Sequence, residues 1–430
     1  MRLLYLTFDF PFPATSGGRQ RSIAQLELLS SIVDELTVLS LSEDTVTDVE
    51  IASLRSLLSG RGAKVEVLPP APHAVHIKRD PMQVVRTVFR RVVKREPYLF
   101  AKWWSPKTAR AVREVAASGR WDVVYIDHLG MATHLQALRQ AAPGARFVLE
   151  EHNVESDFFV QFAKEAPRWA RPIARLEARV AQRAEVRVLR SMDAVVTISA
   201  SDRDMLREMI AGGSTAARQP LVVDVLPQVV PNEPGVRHER RERPVLAYVG
   251  SLSWRPNRIG VSWFVTEVWP LVVAQVPAAR LIIAGTGIGR GADGAPDDWK
   301  APGVDVRGFV DDLGEIFASS FVLVAPTFGG SGVRMKLLEG FKVGLPIVTT
   351  ADGASGLDIE DGRELVVADD PAATAAAIAR LWREPDEATS LVRAATEYLR
   401  RAHGTESARA TLASALGAPV DREGVSSGGR

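Results

Sequence analysis

A buried strand, a glycine-rich turn, a short helix and a second strand follow one another over residues 321–350. Residues 321–324 are apolar without alternation, which is typical of a parallel strand that is covered on both faces. The glycines after this strand have no side chain, so they allow a ligand to approach the backbone closely. A helix is expected to begin near Ser331 or Gly332 and to end at Gly344. Units of this kind build a parallel α/β sheet.

The first turns of this expected helix carry two cations, Arg334 and Lys336. Unpaired amides at a helix start favour an anion, and neighbouring cations strengthen that preference. Glu339 shares a face with Lys336, where a carboxylate suits neutral donors such as paired ribose hydroxyls. We interpret the segment as a nucleoside-diphosphate site whose binding residues are Gly330, Ser331, Gly332, Val333 and Glu339. The alternative is a tight strand-to-helix turn with a solvated arginine and lysine.

Length and composition narrow the class of protein. The chain has 430 residues, so two or three domains are expected. The net charge of +1 gives no basic field for binding nucleic acid. There is no cysteine, and the seven histidines lack metal-binding spacing, so neither a disulfide nor a metal site is predicted. The apolar start is too short for a signal peptide and no apolar run is long enough to span a membrane, which favours the cytoplasm.

Strand and helix alternate from residue 2 onward, and the same pattern restarts at residue 245 after a charged segment. This periodicity predicts an α/β protein with two Rossmann-like domains. The predicted divisions are a first domain at 1–235, a second domain at 244–385, C-terminal helices at 386–416 and a disordered tail at 418–430.

Several residues follow the carboxyl ends of predicted strands, where ligands bind in open parallel sheets. Gly17 and Gly18 follow the first strand, and His128 and His152 follow two later ones. Alternatives remain open for both pairs. Glycine is ordinary turn punctuation, and a histidine at a strand end is more often structural than catalytic.

A basic segment at 82–104 interrupts the alternation. Its apolar residues have the spacing of one helical face and are Val85, Val88, Phe89, Val92 and Val93. Six cations, Arg86, Arg90, Arg91, Lys94, Arg95 and Lys102, accompany a single acid, Glu96, and four aromatic residues follow. One interpretation packs the valine face on the first domain. The other is a peripheral contact with an anionic membrane, on its inner face.

Two strings in the second half resemble retaining, nucleotide-sugar-dependent glycosyltransferases of the GT-B fold. They are Gly332-Val-Arg-Met-Lys-Leu-Leu-Glu339, followed by Gly344-Leu-Pro-Ile-Val348, and Gly250-Ser-Leu-Ser-Trp-Arg-Pro-Asn257. The similarity is greatest to a bacterial polysaccharide-type branch. This chain departs from the larger family at Ser331, where a glutamate is usual, and at Ser251, where many relatives have an arginine.

The resemblance implies two Rossmann-like domains facing a cleft, the first for the acceptor and the second for the nucleotide sugar. One of the last helices would cross back to the first domain. Arg334 and Lys336 would neutralise the diphosphate, His128 would contact the donor sugar, and Gly17, Gly18, Gly250 and Asn257 would help to bind the nucleotide sugar.

The implied reaction transfers a sugar, by default from a uridine diphosphate, to a hydroxyl of a saccharide, lipid-linked or natural-product acceptor. The leaving phosphate would take the acceptor proton, so no protein nucleophile is required. Neither a cofactor nor a metal is expected. A GT-B epimerase or phosphorylase remains an alternative. So does a non-catalytic sugar-binding subunit, which the serine at position 331 favours.

Overall fold

The structure of the protein is a computed structural model that describes residues 1–13, 17–42, 45–72, 81–165, 167–211, 222–226, 242–289, 293–329 and 335–418. The predicted tail beyond residue 418 lies outside these ranges. The predicted diphosphate-binding residues that also lie outside them are Gly330, Ser331, Gly332, Val333 and Arg334.

The chain divides into two compact units, each with its own parallel sheet. The first unit comprises Met1–Val229 and Thr405–Arg430, and the second comprises Val230–Gly404. Each sheet is covered by helices, which confirms the predicted α/β class.

The sheet of the first unit has the strand order β3-β2-β1-β5-β6-β7-β8, and β4 also pairs with β2. Its strands are β1 (Arg2–Thr7), β2 (Glu35–Ser42), β3 (Lys64–Val67), β4 (Ala71–Pro72), β5 (Val123–Asp127), β6 (Arg146–Glu151), β7 (Ala194–Thr197) and β8 (Val222–Val225). The helices are α1 (Gly17–Leu29), α2 (Asp48–Leu58), α3 (Pro81–Val92), α4 (Tyr98–Trp103), α5 (Pro106–Ala117), α6 (Leu135–Ala141), α7 (Glu155–Glu165), α8 (Arg171–Leu189) and α9 (Ala200–Ala211). A short 3₁₀ helix spans Leu129–His134.

Alternate residues of the central strand β1 enter two different cores. Leu4 and Leu6 belong to one buried cluster, and Leu3 and Tyr5 belong to another on the opposite face. Side chains alternate between the faces of a strand, so a strand that is apolar throughout requires helices on both sides. The first unit is therefore doubly wound.

The sheet of the second unit has the order β11-β10-β9-β12-β13-β14, and all of its pairs are parallel. Its strands are β9 (Val245–Val249), β10 (Arg280–Ala284), β11 (Val304–Gly308), β12 (Val322–Ala325), β13 (Ile347–Thr349) and β14 (Val366–Val367). The helices are α10 (Arg255–Trp263), α11 (Trp269–Gln275), α12 (Gly314–Ser319), α13 (Met335–Lys342), α14 (Ala351–Ala354), α15 (Pro371–Arg383) and α16 (Pro385–His403). A π-helical turn, Phe264–Val268, joins α10 to α11.

The last helix, α17 (Thr405–Leu416), belongs to the first unit although the chain reaches it from the second. Leu412 and Leu416 are buried in the same cluster as Leu26 and Leu29 of α1. The Arg146 side chain also donates from Nε to the carbonyl oxygen of residue 415 at 2.7 Å. These contacts make α17 part of the first core.

The basic segment at 82–104 forms two helices, α3 and α4, and not one. The interpretation in which its valine face packs on the first domain is wrong. The five apolar residues of that face, Val85, Val88, Phe89, Val92 and Val93, are between 53% and 72% exposed. Gln83, Thr87 and Arg90 occupy the buried side in their place.

No helix in the described ranges is long and apolar enough to cross a lipid bilayer.

Candidate active site

The carboxyl edge of the first sheet carries a buried pair, Asp127 and His152. Asp127 is the last residue of β5 and His152 directly follows β6, its neighbour in the sheet. The Nε2 atom of His152 lies 2.6 Å from Oδ1 of Asp127. Burial alone would raise the pKa of Asp127, but the charge of His152 and its hydrogen bond hold the pKa well below its ordinary value. Burial alone would lower the pKa of His152, but the charge of Asp127 and its hydrogen bond raise it above its ordinary value.

Glu150, beside this pair, is held by donors from α1 and β5. Arg21 donates from Nε to Oε1 at 2.6 Å, and Tyr125 donates its hydroxyl to Oε2 at 2.7 Å. The Gln25 amide also donates to Glu150, and the Ser22 hydroxyl donates to Asp127 at 2.9 Å. Arg21, Ser22 and Gln25 are in α1, which opens with Gly17 and Gly18. The two predicted glycines are therefore the first residues of the helix that closes the network.

Asp127, Glu150 and His152 have ligand atoms within 4.8 Å of one another, close enough to surround a metal ion. Arg21 is already bound to Glu150 and is itself a buried cation. A second cation beside a buried guanidinium would be repelled, since charges interact strongly where water is excluded. The donor set fits a hydrogen-bonded network and not a metal centre.

His128 lies at the same edge in a strained conformation. It is one of the non-glycine residues with positive φ, at 85°, a backbone state that costs about 1–3 kcal/mol and occurs often at functional sites. Its Nδ1 accepts from the Gly130 amide at 3.1 Å. The neutral ring therefore carries its proton on Nε2, which lies 3.2 Å from Oε1 of Glu155. His128 thus presents a donor with a fixed direction.

Aromatic rings hold His128 in this position. The Phe8 ring lies 4.8 Å from the His128 ring, and the His152 ring lies 5.6 Å from it on centroids. Trp103 packs on Phe8 at 5.2 Å, and a side chain at Gly130 would meet Trp103 at 2.6 Å. The structure thus brings together the two histidines that the sequence placed at separate strand ends.

Two further acids are buried behind this edge. Glu185 caps α7 by accepting from the backbone amides of Glu155 and Ser156 at 2.8 and 3.1 Å. Burial raises the pKa of Glu185 to about 7, although the Ser156 hydrogen bonds oppose the shift. Burial also raises the pKa of Glu151, and the negative charges of Glu185 and Glu155 raise it further.

The carboxyl edge of the second sheet is organised around Lys336, the second residue of α13. Its Nζ lies 2.8 Å from Oδ1 of Asn257, 3.0 Å from the Thr327 hydroxyl and 3.3 Å from the Tyr248 hydroxyl. An ammonium has three donors, and these neutral oxygens match them. The Tyr248 ring also lies 4.9 Å from Nζ. We call these four residues the lysine cage.

Each partner in the lysine cage comes from a different element around β9 and β12. Tyr248 is in β9, Thr327 follows β12, and Asn257 is in α10. The Nδ2 atom of Asn257 donates to the carbonyl oxygen of Ser251 at 2.9 Å, so Oδ1 is left to face Lys336. Gly250 packs beneath this amide, and a Cβ there would lie 3.2 Å from Nδ2. Gly250, Asn257 and Lys336, three predicted nucleotide-sugar residues, are therefore neighbours.

Glycine also lets two loops meet at this edge. Gly285 has φ of 147°, and a Cβ there would lie 1.7 Å from the carbonyl oxygen of Gly250. Only glycine permits such a close approach of two backbones. The turns after β9 and β10 are thus locked against each other beside the lysine cage.

Glu339 is one turn further along α13 from Lys336 and is partly exposed. Its carboxylate has no hydrogen-bond or ion-pair partner among the described residues. It remains able to accept from a ligand, as predicted for ribose hydroxyls. Gly18 differs from Gly250 because a Cβ there would meet nothing within 4 Å.

Two family models match the chain over most of its length. The model for a glycosyl transferase 4-like domain matches residues 48–222, and the model for glycosyl transferases group 1 matches residues 243–384. The chain belongs to the group 1 glycosyltransferases.

Other proteins resemble this glycosyltransferase over nearly its full length. A curated relative, the uncharacterized 44.6 kDa protein in the cps region of Klebsiella pneumoniae, is 20% identical over 86% of this chain and 88% of its own. Sucrose-phosphate synthase from Thermosynechococcus elongatus is 16% identical, with a TM-score of 0.63 over 96% of this chain and 98% of its own. Anabaena Alr3699/HepE, in complex with UDP and glucose, is 13% identical, with a TM-score of 0.59 over 97% and 100%. These likenesses confirm the GT-B fold.

Several residues that build the edges of this glycosyltransferase were missed by the sequence analysis. Tyr248 and Thr327 are neutral, so a search for charged binding residues does not find them, although Tyr248 lies only two residues before Gly250. Asp127 directly precedes His128 at a strand end, which is a usable signal. Arg21 and Gln25 are four residues apart in α1, shortly after Gly17 and Gly18, so they share one face of the helix.

Proposed function

We propose that this glycosyltransferase transfers a sugar from a nucleoside diphosphate sugar to a hydroxyl with retention of the anomeric configuration. The observation that carries the proposal is the lysine cage, which fixes an ammonium beside the glycine turns at the sheet edge. The Anabaena structure, which contains UDP and glucose, favours uridine as the donor base.

The chemistry requires charge stabilisation on the leaving group. As the bond from the anomeric carbon to the phosphate oxygen breaks, the sugar becomes positive and the diphosphate gains negative charge. A cation that is already held in place stabilises this charge without having to reorganise. Lys336 supplies one such cation, and Arg334, two residues before it, supplies the second in this proposal.

The acceptor hydroxyl attacks the face of the sugar that the diphosphate leaves. Its oxygen forms the new bond to the anomeric carbon, and its proton passes to the departing phosphate oxygen. No protein nucleophile is needed, so the configuration is retained through positioning. Since Lys336 and Arg334 carry the charge, we expect turnover to be unchanged by a chelator such as EDTA.

In the first unit, His128 is the residue that we assign to substrate. Its Nε2 proton points at Glu155. A substrate hydroxyl that replaces Glu155 as the acceptor of this hydrogen bond would be oriented by it. The buried network of Asp127 and His152 keeps the surrounding backbone in place. The acceptor class in this proposal is a saccharide, free or lipid-linked, or a natural-product hydroxyl.

The experiment is incubation with a panel of nucleotide sugars, with and without acceptors of the three classes. We expect nucleoside diphosphate to be released only when donor and acceptor are both present, and NMR of the product to show the anomeric configuration of the donor. An inverted product would contradict retention. Consumption of donor without acceptor would indicate an epimerase, and sugar phosphate formed with inorganic phosphate would indicate a phosphorylase.

A non-catalytic sugar-binding subunit is the second candidate, because Ser331 stands where the larger family usually has a glutamate. Donor binding without turnover across the whole acceptor panel would favour it. A Ser331→Glu variant sharpens the distinction, since it should raise turnover only if the chain is catalytic.

A further inference from the structure

Helix α3 presents its apolar face to solvent. Met82 and the five residues of the valine face lie within one strip of the helix, and each is more than half exposed. An amphipathic helix in a folded protein normally turns this strip toward a core. A contiguous exposed apolar strip of this kind marks a surface that binds something.

Polar contacts fix this orientation of α3. The amide of Gln83 donates to the carbonyl oxygens of Lys102 and Trp104 at 3.1 and 2.7 Å. Arg90 is paired with Glu96 through two hydrogen bonds of 2.6 and 2.7 Å, and its guanidinium lies 4.2 Å from the Trp104 ring. Rolling the helix to bury its valines would break all of these contacts. The exposed face is therefore a built feature of the fold.

Helix α8 carries a second exposed apolar strip in the same unit. Trp169, two residues before the helix begins, is 79% exposed, and Ile173 and Leu176 are 63% and 61% exposed. Ile173 and Leu176 are three residues apart and therefore lie on one face of α8. Glu177, next to Leu176, pairs with Arg91 of α3 and accepts from the Tyr98 amide of α4 at 2.6 Å. The two strips thus belong to helices that are tied together.

Cations lie on or next to both helices. Lys94 and Arg95 are exposed at the end of α3. On α8, Arg171, Arg175 and Arg179 line a hollow of about 490 Å³ between α7 and α8. The nearby acids Glu96 and Glu177 are already bound to Arg90 and Arg91.

We propose that α3 and the N-terminal half of α8 form one surface that binds an anionic lipid bilayer, with both helices lying in the plane of the interface. An interfacial helix requires exposed apolar side chains together with cations, and aromatic residues such as Trp169 and Tyr98 are enriched at membrane interfaces. A second copy of the chain would bring like charges together, whereas an anionic leaflet matches them. The surface goes beyond the proposed reaction and does not depend on it.

Vesicle co-sedimentation of the full chain tests the proposal without donor or acceptor. We expect the protein to pellet with an equimolar mixture of phosphatidylglycerol and phosphatidylcholine and to remain in the supernatant with phosphatidylcholine alone. Binding should fall as salt is raised, since exposed charges are screened. A protein that stays in the supernatant with both vesicles at low salt overturns the proposal.

The apolar contribution is tested with Val85→Ser/Phe89→Ser/Val92→Ser and, independently, with Trp169→Ser/Ile173→Ser. Each should weaken binding about tenfold or more. Val49→Ser/Leu57→Ser is the control, since it removes exposed apolar side chains from α2 of the same unit and should bind like wild type. Thermal melting followed by circular dichroism identifies the variants that fold, and only these are compared with wild type. Wild-type binding by both folded surface variants would contradict the proposal.

The charge contribution is tested with Lys94→Gln/Arg175→Gln/Arg179→Gln, which leaves the structural pairs of Arg90 and Arg91 intact. Three interfacial cations correspond to about 10²-fold in the binding constant. The matched control, Arg383→Gln/Arg393→Gln/Arg401→Gln, removes three exposed arginines from the second unit and should have no effect. If the serine variants instead convert a dimer to a monomer in sedimentation velocity, with no lipid binding by wild type, the surface joins copies of the chain and the lipid assignment is wrong.

Discussion

The carboxyl edges of the two sheets share a topology but differ in chemistry. The first edge holds buried ions that neutralise one another, with Arg21 on Glu150 and His152 on Asp127. The second edge holds Lys336 among the neutral oxygens of the lysine cage. In the proposed function, the first edge therefore meets a neutral, hydroxyl-bearing ligand and the second meets an anion. The residues at the strand ends give the two edges different charge environments.

The strongest test of the first edge is Glu150→Gln. It leaves the buried Arg21 without its counter-ion, so we expect the free energy of unfolding to fall by about 3–5 kcal/mol, measured by denaturant titration. Glu114→Gln, which breaks the exposed pair with Arg110, serves as the control and should leave the transition unchanged. Equal transitions for the two variants would show that the first edge is not held by its charges.

Lys336→Ala tests the second edge. We expect turnover to fall about 10²-fold or more because the leaving diphosphate loses a fixed cation, while circular dichroism shows that the variant still folds. Lys342→Ala, at the other end of the same helix, is the control and should retain wild-type turnover. A wild-type turnover rate for Lys336→Ala would show that the second edge does not stabilise an anion through this lysine.

The buried acid behind the first edge predicts a pH dependence of stability. The pKa of Glu185 is about 7 in the folded chain against 4.5 for an ordinary glutamate, so the folded state binds the proton more tightly. Its contribution is complete below pH 4.5 and is lost as the pH rises through 7. Glu185→Gln should remove this dependence. Its side-chain nitrogen cannot accept the second backbone hydrogen bond that the carboxylate accepts, so the measurement is the slope of the free energy of unfolding against pH and not its value at one pH. Parallel pH profiles for the two proteins would contradict the assignment.

The smallest effect is expected at His128. His128→Asn removes the imidazole, and asparagine tolerates the positive φ of this position better than most residues do. Loss of one substrate hydrogen bond should lower turnover about tenfold, with little change in donor affinity. Glu155→Gln keeps an acceptor for the His128 proton and should reduce turnover less. A larger loss in Glu155→Gln would show that the carboxylate, and not the imidazole, acts on substrate.

The sequence was sufficient for the α/β class, because apolar strands alternating with helices permit few other packings. The family resemblance also assigned Gly250, Asn257 and Lys336 to one nucleotide-sugar site, and the three residues are neighbours in the structure. The sequence did not reveal Tyr248 and Thr327, whose role depends on where a neutral oxygen lies relative to Nζ. Such distances are set by packing and not by local pattern.

The orientation of α3 shows a second limit of sequence reasoning. Its periodicity indicates an amphipathic helix, but periodicity does not decide which face meets the protein. Gln83 and Arg90 decide it through partners that follow in the chain, Trp104 and Glu96. Their contacts with α4 and the turn before it cannot be read from the spacing of the valines.

Calorimetric titration of UDP into wild type and Lys336→Ala, in buffer with EDTA, tests the central claim most directly because it needs no acceptor. We expect wild type to bind without added metal and Lys336→Ala to bind at least about tenfold more weakly. His128→Asn should bind UDP as wild type does, because its role is assigned to a substrate hydroxyl. If Lys336→Ala binds UDP with wild-type affinity, the diphosphate does not lie at the lysine cage and the assignment of the second edge is wrong.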